Sequence, residues 1–151
     1  MKLISIVIPC YNSQATIRKV TEMVMEEFKK MDGYECEFVL VNDCSPKDDT
    51  YGEIEKLGHD YPNVKGINLL RNFGQHNALM AALHYTSGDY ILGMDDDMQT
   101  HPSQISKLIH KMEEGFDLVY GCYPKKKNSM LKNLSSKINE VSSRILLGRP
   151  K

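Results

Sequence analysis

The sequence predicts a single α/β domain with a mostly parallel sheet covered by helices on both faces. Short β-branched runs alternate along the chain with longer segments whose apolar residues recur every three or four positions. The strand-like runs are apolar throughout, which is typical of strands buried on both faces. Strands that alternate with helices in this way form right-handed crossovers and a parallel sheet.

Each element is predicted from its own residues. The first strand is the run at 3–8, ended by Pro9, and the next helix is capped by Asn12 or Ser13 and carries an apolar stripe to Met31. A turn-forming cluster at 42–46 ends the second strand, and Pro102 suits the first turn of a later helix. The other predicted strands are 38–41, 64–70, 90–94 and 116–121, and the other helices are 49–59, 77–85, 102–112 and 131–145.

The bulk composition fits one soluble globular domain. The 151 residues are 41% apolar and 26% charged, which is enough for one domain with a core and too little for two. A net charge of −1 gives no general affinity for nucleic acid. Residues 124–151 differ from the rest, because they hold eight Lys or Arg and one acidic residue, Glu140. Such a segment often contacts a different partner from the body of the protein.

The cysteines and apolar runs indicate a reducing compartment. None of the four cysteines has the C-x-x-C spacing of a zinc site. The N-terminal apolar run is too short for a secretory signal, and no run approaches the roughly 18 residues of a membrane span. We therefore expect a cytoplasmic location.

Three consecutive carboxylates, Asp95, Asp96 and Asp97, follow the predicted fourth strand. Ligands bind beyond the carboxyl ends of the strands in such a sheet. Asp95 and Asp97 should point one way and Asp96 the other. Two carboxylates about 4 Å apart repel by roughly 4 kcal/mol at an effective dielectric of about 20, so the site needs protons or a cation. Mg²⁺ or Mn²⁺ suits such oxygens, and Gln99 adds a neutral one.

The acidic residues also fit roles other than metal binding. Solvated loop aspartates that cap the next helix are the simplest alternative, but three in a row at this edge favour the metal. An EF-hand calcium loop is excluded, because Thr100 stands where it needs Gly and Ser106 where it needs Glu. Asp43 fits two roles equally, as a turn residue or as an acceptor of hydrogen bonds from a base or ribose. No glycine-rich phosphate loop is present, so a metal would have to hold a diphosphate.

Four motifs in order along the chain resemble family-2 inverting glycosyltransferases of the GT-A fold. They are IVIPCYN at 6–12, VNDCSPKDDT at 41–50, LLRNFGQHNAL at 69–79 and MDDDMQTHP at 94–102. The subgroup they resemble loads a sugar from a nucleotide diphosphate onto a polyprenyl or dolichyl phosphate of the cell envelope. The resemblance extends from residue 3 to about residue 121 and implies a Rossmann-like nucleotide-diphosphosugar transferase fold.

The resemblance also implies roles for individual residues. Asp95 and Asp97 match the catalytic D-x-D pair that holds Mg²⁺ or Mn²⁺, and Gln99 completes the coordination. Asp43 holds the base or ribose, and Asp95 also contacts the donor. The remaining nucleotide-sugar-binding residues that it implies are Pro9, Tyr11, Asn12 and Arg71. The chain departs from the family at Ser13 and Gln14, where many members have Glu.

The family pattern suggests a division of the chain. We expect residues 1–123 to form the nucleotide-sugar-binding domain. Residues 124–151, as a basic amphipathic helix, would begin an acceptor or membrane-proximal region at the inner face of the membrane, so the acceptor site in this chain would be incomplete. The expected donor is a UDP-sugar, with GDP-mannose as the alternative, and the expected acceptor is a lipid phosphate.

Two other classes remain open on the sequence alone. A nucleotidyltransferase also combines an α/β sheet with metal-binding carboxylates, but it usually has a glycine-rich loop where this chain has Pro9, Cys10 and Tyr11. A non-enzymatic phospho-receiver domain is also doubly wound and acidic, but it needs acidic residues at the end of the first strand. Both fit less well than a glycosyltransferase.

Overall fold

The computed structural model describes residues 1–98 and 101–121. Its elements are β1 (Lys2–Cys10), α1 (Ile17–Phe28), β2 (Tyr34–Asn42), α2 (Thr50–Asp60), β3 (Val64–Asn68), α3 (Gln75–Leu83), β4 (Tyr90–Gly93) and α4 (Ile105–Glu113). A 3₁₀ turn at Pro102–Gln104 leads into α4, as the proline predicted. The chain divides into two units, Met1–Gly115 and Phe116–Lys151, and the second is described only over 116–121.

The described strands form one parallel sheet in the order β3-β2-β1-β4. The register pairs Ile6 of β1 with Phe38 of β2 on one side and with Leu92 of β4 on the other. This arrangement confirms the predicted mostly parallel α/β sheet. Because β1 and β4 are neighbours, the loop after β1 and the aspartates after β4 meet at one edge of the sheet.

Helices cover both faces because the strands bury both sets of alternating side chains. Ile6 of β1 lies in a large core that also contains buried residues of α1, α2 and α4. Val7, which points the other way, packs with Ala78 and Ala82 of α3. The small alanines let α3 lie close to the sheet, and α3 begins at the same edge as the aspartates.

The first strand is longer than predicted, because Pro9 lies within it. The Cys10 carbonyl accepts a hydrogen bond from Asp43 on the β2 side, and the Val7 carbonyl accepts one from Met94 on the β4 side. Pro9, two residues after Val7, therefore directs its missing N–H toward β4, whose register with β1 ends at Val7. The proline removes no ladder hydrogen bond, so the strand continues through it.

The predicted fifth strand is wrong. Residues 116–121 form neither strand nor helix, and Phe116, Leu118 and Tyr120 are exposed. An apolar pattern becomes a strand only when a neighbour supplies backbone partners, and the sheet that the structure describes has four strands.

The helices differ from prediction mainly at their ends. The third helix begins at Gln75 rather than Asn77, because Gly74, with a φ of 86°, precedes it as N-cap. The predicted helix at 131–145 lies outside the described residues. Within the two described ranges, no helix combines the length and apolar character needed to cross a bilayer.

A buried carboxylate on β2, Glu37, joins three segments of the fold. It accepts hydrogen bonds from the hydroxyls of Ser5 and Ser87, from the Ser87 N–H and from the Lys65 ammonium. Burial alone would raise the pKa of Glu37, but these hydrogen bonds together lower it to about 2. Because Ser87 lies between α3 and β4, Glu37 fastens the connection that leads into the aspartate strand.

Candidate functional site

A cavity of about 410 Å³ opens at the carboxyl edge of the sheet. Loops that follow each of the four strands line it. The lining residues are Pro9, Cys10, Tyr11, Asp43, Asn72, Gly74, Gln75, Asp95, Asp96 and Asp97. The volume falls within the roughly 300–1,000 Å³ typical of small-molecule sites.

The three aspartates in this cavity differ in environment. Asp95 and Asp97 are exposed, whereas Asp96 is partly buried and accepts a hydrogen bond from the Ser13 hydroxyl. Burial raises the pKa of Asp96, the Ser13 hydroxyl and backbone N–H groups counteract that rise, and the nearby Asp97 carboxylate adds to it. Gln75, the first residue of α3, donates from Nε2 to Asp95 Oδ1 at 2.8 Å. The outward pair and the inward middle residue match the predicted alternation.

Asp43 holds the loop after β3. Its side chain is buried, and its Oδ1 and Oδ2 accept hydrogen bonds from the N–H groups of Phe73 and Gly74, each at 2.8 Å. The two bonds fix the backbone directly before α3, and hence the position of Gln75. Asp43 also lines the cavity, and a carboxylate has lone pairs for further hydrogen bonds.

Left-handed backbone conformations gather at this edge. Within the described ranges, the non-glycine residues with positive φ are Asn12 at 55°, Cys44 at 54° and Met98 at 58°. They follow β1, β2 and β4, and Gly74, with φ 86° and ψ 157°, provides a positive φ after β3. Non-glycine residues in such conformations cost about 1–3 kcal/mol each and cluster at functional sites. The loops around the cavity are therefore shaped at the expense of stability, which supports a functional role.

Comparison with known protein families agrees with this geometry. The family model described as Glycosyl transferase family 2 matches residues 5–146. The chain belongs to glycosyl transferase family 2. This membership favours the glycosyltransferase interpretation over the nucleotidyltransferase and phospho-receiver alternatives.

Solved structures share the fold of this family-2 chain. S. aureus TarS 1–349 in complex with UDP-GlcNAc matches with a TM-score of 0.57 and 27% identity, over 83% of this chain and 37% of that one. A mycobacterial protein matches with a TM-score of 0.65 and 22% identity, over 97% of this chain and 49% of that one.

The mannosyltransferase PcManGT from Pyrobaculum calidifontis, in complex with GDP-Man and Mn²⁺, also matches. Its TM-score is 0.53 and its identity 21%, over 62% of this chain and 27% of that one. The family-2 chain thus spans between 27% and 49% of the lengths of these three proteins.

The structure brings five of the predicted site residues to the cavity, namely Pro9, Tyr11, Asp43, Asp95 and Asp97. Asn12 does not line it, because its side chain accepts a hydrogen bond from Lys47 N–H and its own N–H donates to Ser45. Arg71 does not line it either, because its guanidinium lies 4.7 Å from the centre of the Phe73 ring. Gln99 lies outside the described residues.

Five lining residues were not predicted as site residues: Cys10, Asn72, Gly74, Gln75 and Asp96. Gly74 and Gln75 lie in the motif at 69–79, a few positions beyond the third strand, so the rule that ligands bind beyond strand ends could have found them if extended by a few positions. The sequence indicates Ser13 as a helix cap and as a departure from the family pattern, and not as a partner of Asp96. Its contact with Asp96 joins residues 83 positions apart, and no local pattern reports such a pair.

The residues at this edge fit a divalent cation that shares its coordination with a ligand. Within residues 1–98 and 101–121, no group of three His, Cys, Asp or Glu side chains is arranged to hold a metal. Mg²⁺, however, is often held by one or two carboxylates together with substrate phosphates. Asp95 and Asp97 supply two exposed carboxylates of the required hard-oxygen type beside the cavity.

Proposed function

We propose that this chain forms the donor-binding part of an inverting glycosyltransferase that moves a sugar from a nucleotide-diphosphate sugar to a lipid phosphate. The observation that carries the proposal is the cavity in which Asp95 and Asp97 face the loops after β1, β2 and β3. Family membership supports sugar transfer, and TarS and PcManGT have been solved with UDP-GlcNAc and GDP-Man respectively.

Asp95 and Asp97 would hold Mg²⁺ or Mn²⁺ in this scheme, with Gln99 as a predicted third ligand. When bound, the cation supplies positive charge that stabilises the departing nucleoside diphosphate. The PcManGT complex with Mn²⁺ supports this choice of cation. Tyr11 and Asp43 would contact the base or ribose, and Gln75 would keep Asp95 oriented.

A lipid phosphate is the acceptor that best suits these carboxylates. Three of the carboxylates beside the cavity already accept hydrogen bonds from protein groups: Asp43, Asp96 and, from Gln75, Asp95. An acceptor that needs no general base therefore suits this site. An acceptor phosphate is already anionic, so its oxygen can attack without a strong general base. The new bond joins that oxygen to the anomeric carbon, the bond to the donor's diphosphate breaks, and nucleoside diphosphate leaves with the electron pair. No proton need be removed.

The domain division and the membrane contact complete the proposal. Residues 1–123 would hold the donor, and the basic segment at 124–151 would lie against an anionic lipid surface near the acceptor. Each basic residue near such a surface contributes about 1 kcal/mol. This step rests on the basic composition of the segment, which has eight Lys or Arg and one acidic residue.

The proposal is tested with a panel of UDP-, GDP-, dTDP- and CDP-sugars, with and without Mn²⁺. A ligand at 100 times its Kd adds about 2.7 kcal/mol to the stability of the folded state, or roughly 5–10 °C in Tm for a domain of this size. We expect one nucleotide class, with UDP-sugars the favoured candidates, to produce this shift only with Mn²⁺. If no nucleotide sugar raises Tm under either condition, the donor-site assignment is wrong.

A further inference from the structure

A buried hydroxyl helps to connect the two loops that follow the neighbouring strands β1 and β4. Ser13 is 4% exposed, and its Oγ accepts a hydrogen bond from the Tyr11 N–H at 2.9 Å and donates one to Asp96 Oδ2. Asp96 is the middle residue of the acidic cluster. The contact therefore links the loop after β1 to the backbone that carries Asp95 and Asp97.

We propose that Ser13 is a positioning residue, which acts through Asp96 to fix the direction of Asp95 and Asp97 and so sets the affinity of the site for a divalent cation. The inference rests on the proposed function, because it takes these two carboxylates as cation ligands. Neither the family resemblance nor the cavity lining assigns Ser13 such a role.

The sheet itself does not hold the acidic loop. The register of β4 with β1 ends at Gly93, and the last backbone hydrogen bond from this segment to β1 is that of the Met94 N–H. Beyond that point, the Asp96 carboxylate contacts the loop after β1 through the Ser13 hydroxyl and a backbone hydrogen bond from Tyr11. Asp95 and Asp97 are exposed on either side of the partly buried Asp96, so anchoring Asp96 inward keeps the other two directed outward.

The anchor would counter the repulsion that arises when both carboxylates turn toward one cation. Two carboxylates brought about 4 Å apart repel by roughly 4 kcal/mol at an effective dielectric of about 20. Because the Ser13 contact fixes the backbone at Asp96, the Asp95 and Asp97 carboxylates stay close together before the cation binds. Groups that orient metal ligands in this way typically affect metal affinity by about 10–100-fold.

The Ser13 hydroxyl can be removed without disturbing its own backbone. The Ser13 N–H donates to Thr50 Oγ1 at 2.7 Å, and the Ser13 carbonyl accepts from the N–H groups of Thr16 and Ile17. These bonds remain in Ser13→Ala. The variant therefore loses the contact with Asp96 and the acceptor of the Tyr11 N–H, and it keeps the hydrogen bonds of residue 13's own backbone.

Ser5, on β1, provides a matched control. Like Ser13, it is a buried serine whose hydroxyl donates to a carboxylate, in this case Glu37 at 2.6 Å. It lies in the amino-terminal half of β1, away from the cavity. Ser5→Ala should reduce stability without changing cation affinity.

The test measures the Kd of Mn²⁺ alone for the 151-residue chain by electron paramagnetic resonance. We expect Ser13→Ala to raise this Kd on the order of tenfold, whereas Ser5→Ala should leave it unchanged. Asp96→Asn and the double variant complete a mutant cycle. If Ser13 acts through Asp96, the double variant binds Mn²⁺ no more weakly than the weaker single variant.

Amide hydrogen exchange, measured without metal, tests the route by which Ser13 acts. Exchange at residues 94–98 should be faster in Ser13→Ala than in the parent and unaltered in Ser5→Ala. Equal Mn²⁺ affinity of Ser13→Ala and parent, additive losses in the cycle, or unchanged exchange would each overturn the role of Ser13. Failure of the parent itself to bind Mn²⁺ would instead overturn the cation site of the proposed function, and the positioning role with it.

Discussion

Replacing Glu37 with glutamine should make the free energy of unfolding depend less on pH in the acid range. The pKa of Glu37 in the folded chain is about 2, below its ordinary value of 4.5. A carboxylate with a lowered pKa stabilises the folded state fully above the unfolded pKa, and this stabilisation is lost as the pH falls toward the folded pKa. The window for Glu37 therefore runs from about pH 4.5 down to about pH 2.

The magnitude follows from the two pKa values. Each pKa unit is worth about 1.36 kcal/mol, so the Glu37 hydrogen bonds contribute about 3 kcal/mol near neutral pH. Little of this is screened by solvent, because the Glu37 side chain is 9% exposed. At pH 3, Glu37 is largely protonated in the unfolded chain and still largely ionised in the folded one. About 2 kcal/mol of its contribution to the free energy of unfolding is therefore lost.

Urea unfolding of parent and Glu37→Gln, repeated at several values between pH 7 and pH 3, measures this difference directly. We expect a gap in unfolding free energy of about 3 kcal/mol at pH 7 that narrows to about 1 kcal/mol at pH 3. Glu26→Gln is the control, because exposed Glu26 pairs only with Lys29 on the surface of α1 and should alter stability little at any pH. A difference in unfolding free energy between parent and Glu37→Gln that stays the same at every pH would refute the assigned role of Glu37.

Three further predictions concern the cavity loops and the basic segment. Asp43→Ala should lower stability by about 2 kcal/mol and weaken nucleotide binding in calorimetry. The control is Asp89→Ala, which removes a carboxylate bonded to the Leu3 N–H far from the cavity and should leave nucleotide binding unchanged. Equal nucleotide affinity for the Asp43 variant and the parent would make Asp43 a turn residue only. Gly74→Ala and Gly33→Ala both place a side chain at a φ near 87° with no steric contact, and each should cost about 1–3 kcal/mol. Only the Gly74 variant should weaken nucleotide binding, and equal losses of affinity would contradict a special role for the loop after β3. Changing the three lysines at 125–127 to glutamine should reduce co-sedimentation with anionic vesicles at low salt, and equal pelleting with neutral vesicles would argue against membrane docking.

Much of the fold was predictable because its strands are apolar on both faces and its helices carry clear apolar stripes. The four described strands and the helices between them were found in the right order. The errors occur where a strand assignment depends on pairing with residues that are distant in the sequence. Pro9 continues β1 only because β4 has stopped pairing, and residues 116–121 are not a strand in spite of their apolar pattern.

The site was predictable to the extent that it lies at strand ends. Asp43, Asp95 and Asp97 were found because each follows a strand at the carboxyl edge of a parallel sheet. The groups that orient them were missed, since Ser13 and Gln75 reach their aspartates across 83 and 20 residues. A sequence identifies residues able to bind a cation more readily than the residues that position them.

The central claim is that Asp95 and Asp97 hold a cation that in turn holds a nucleotide diphosphate, and calorimetry on Asp97→Asn tests it most directly. Titrating the nucleotide selected by the panel, with Mn²⁺ and then with EDTA, should show tight binding by the parent only with Mn²⁺. Because Asp97 is exposed, the variant should fold normally and lose the Mn²⁺-dependent part of the affinity. Nucleotide binding by the parent that is equally tight in EDTA, or an unaltered Mn²⁺ effect in Asp97→Asn, would contradict the account.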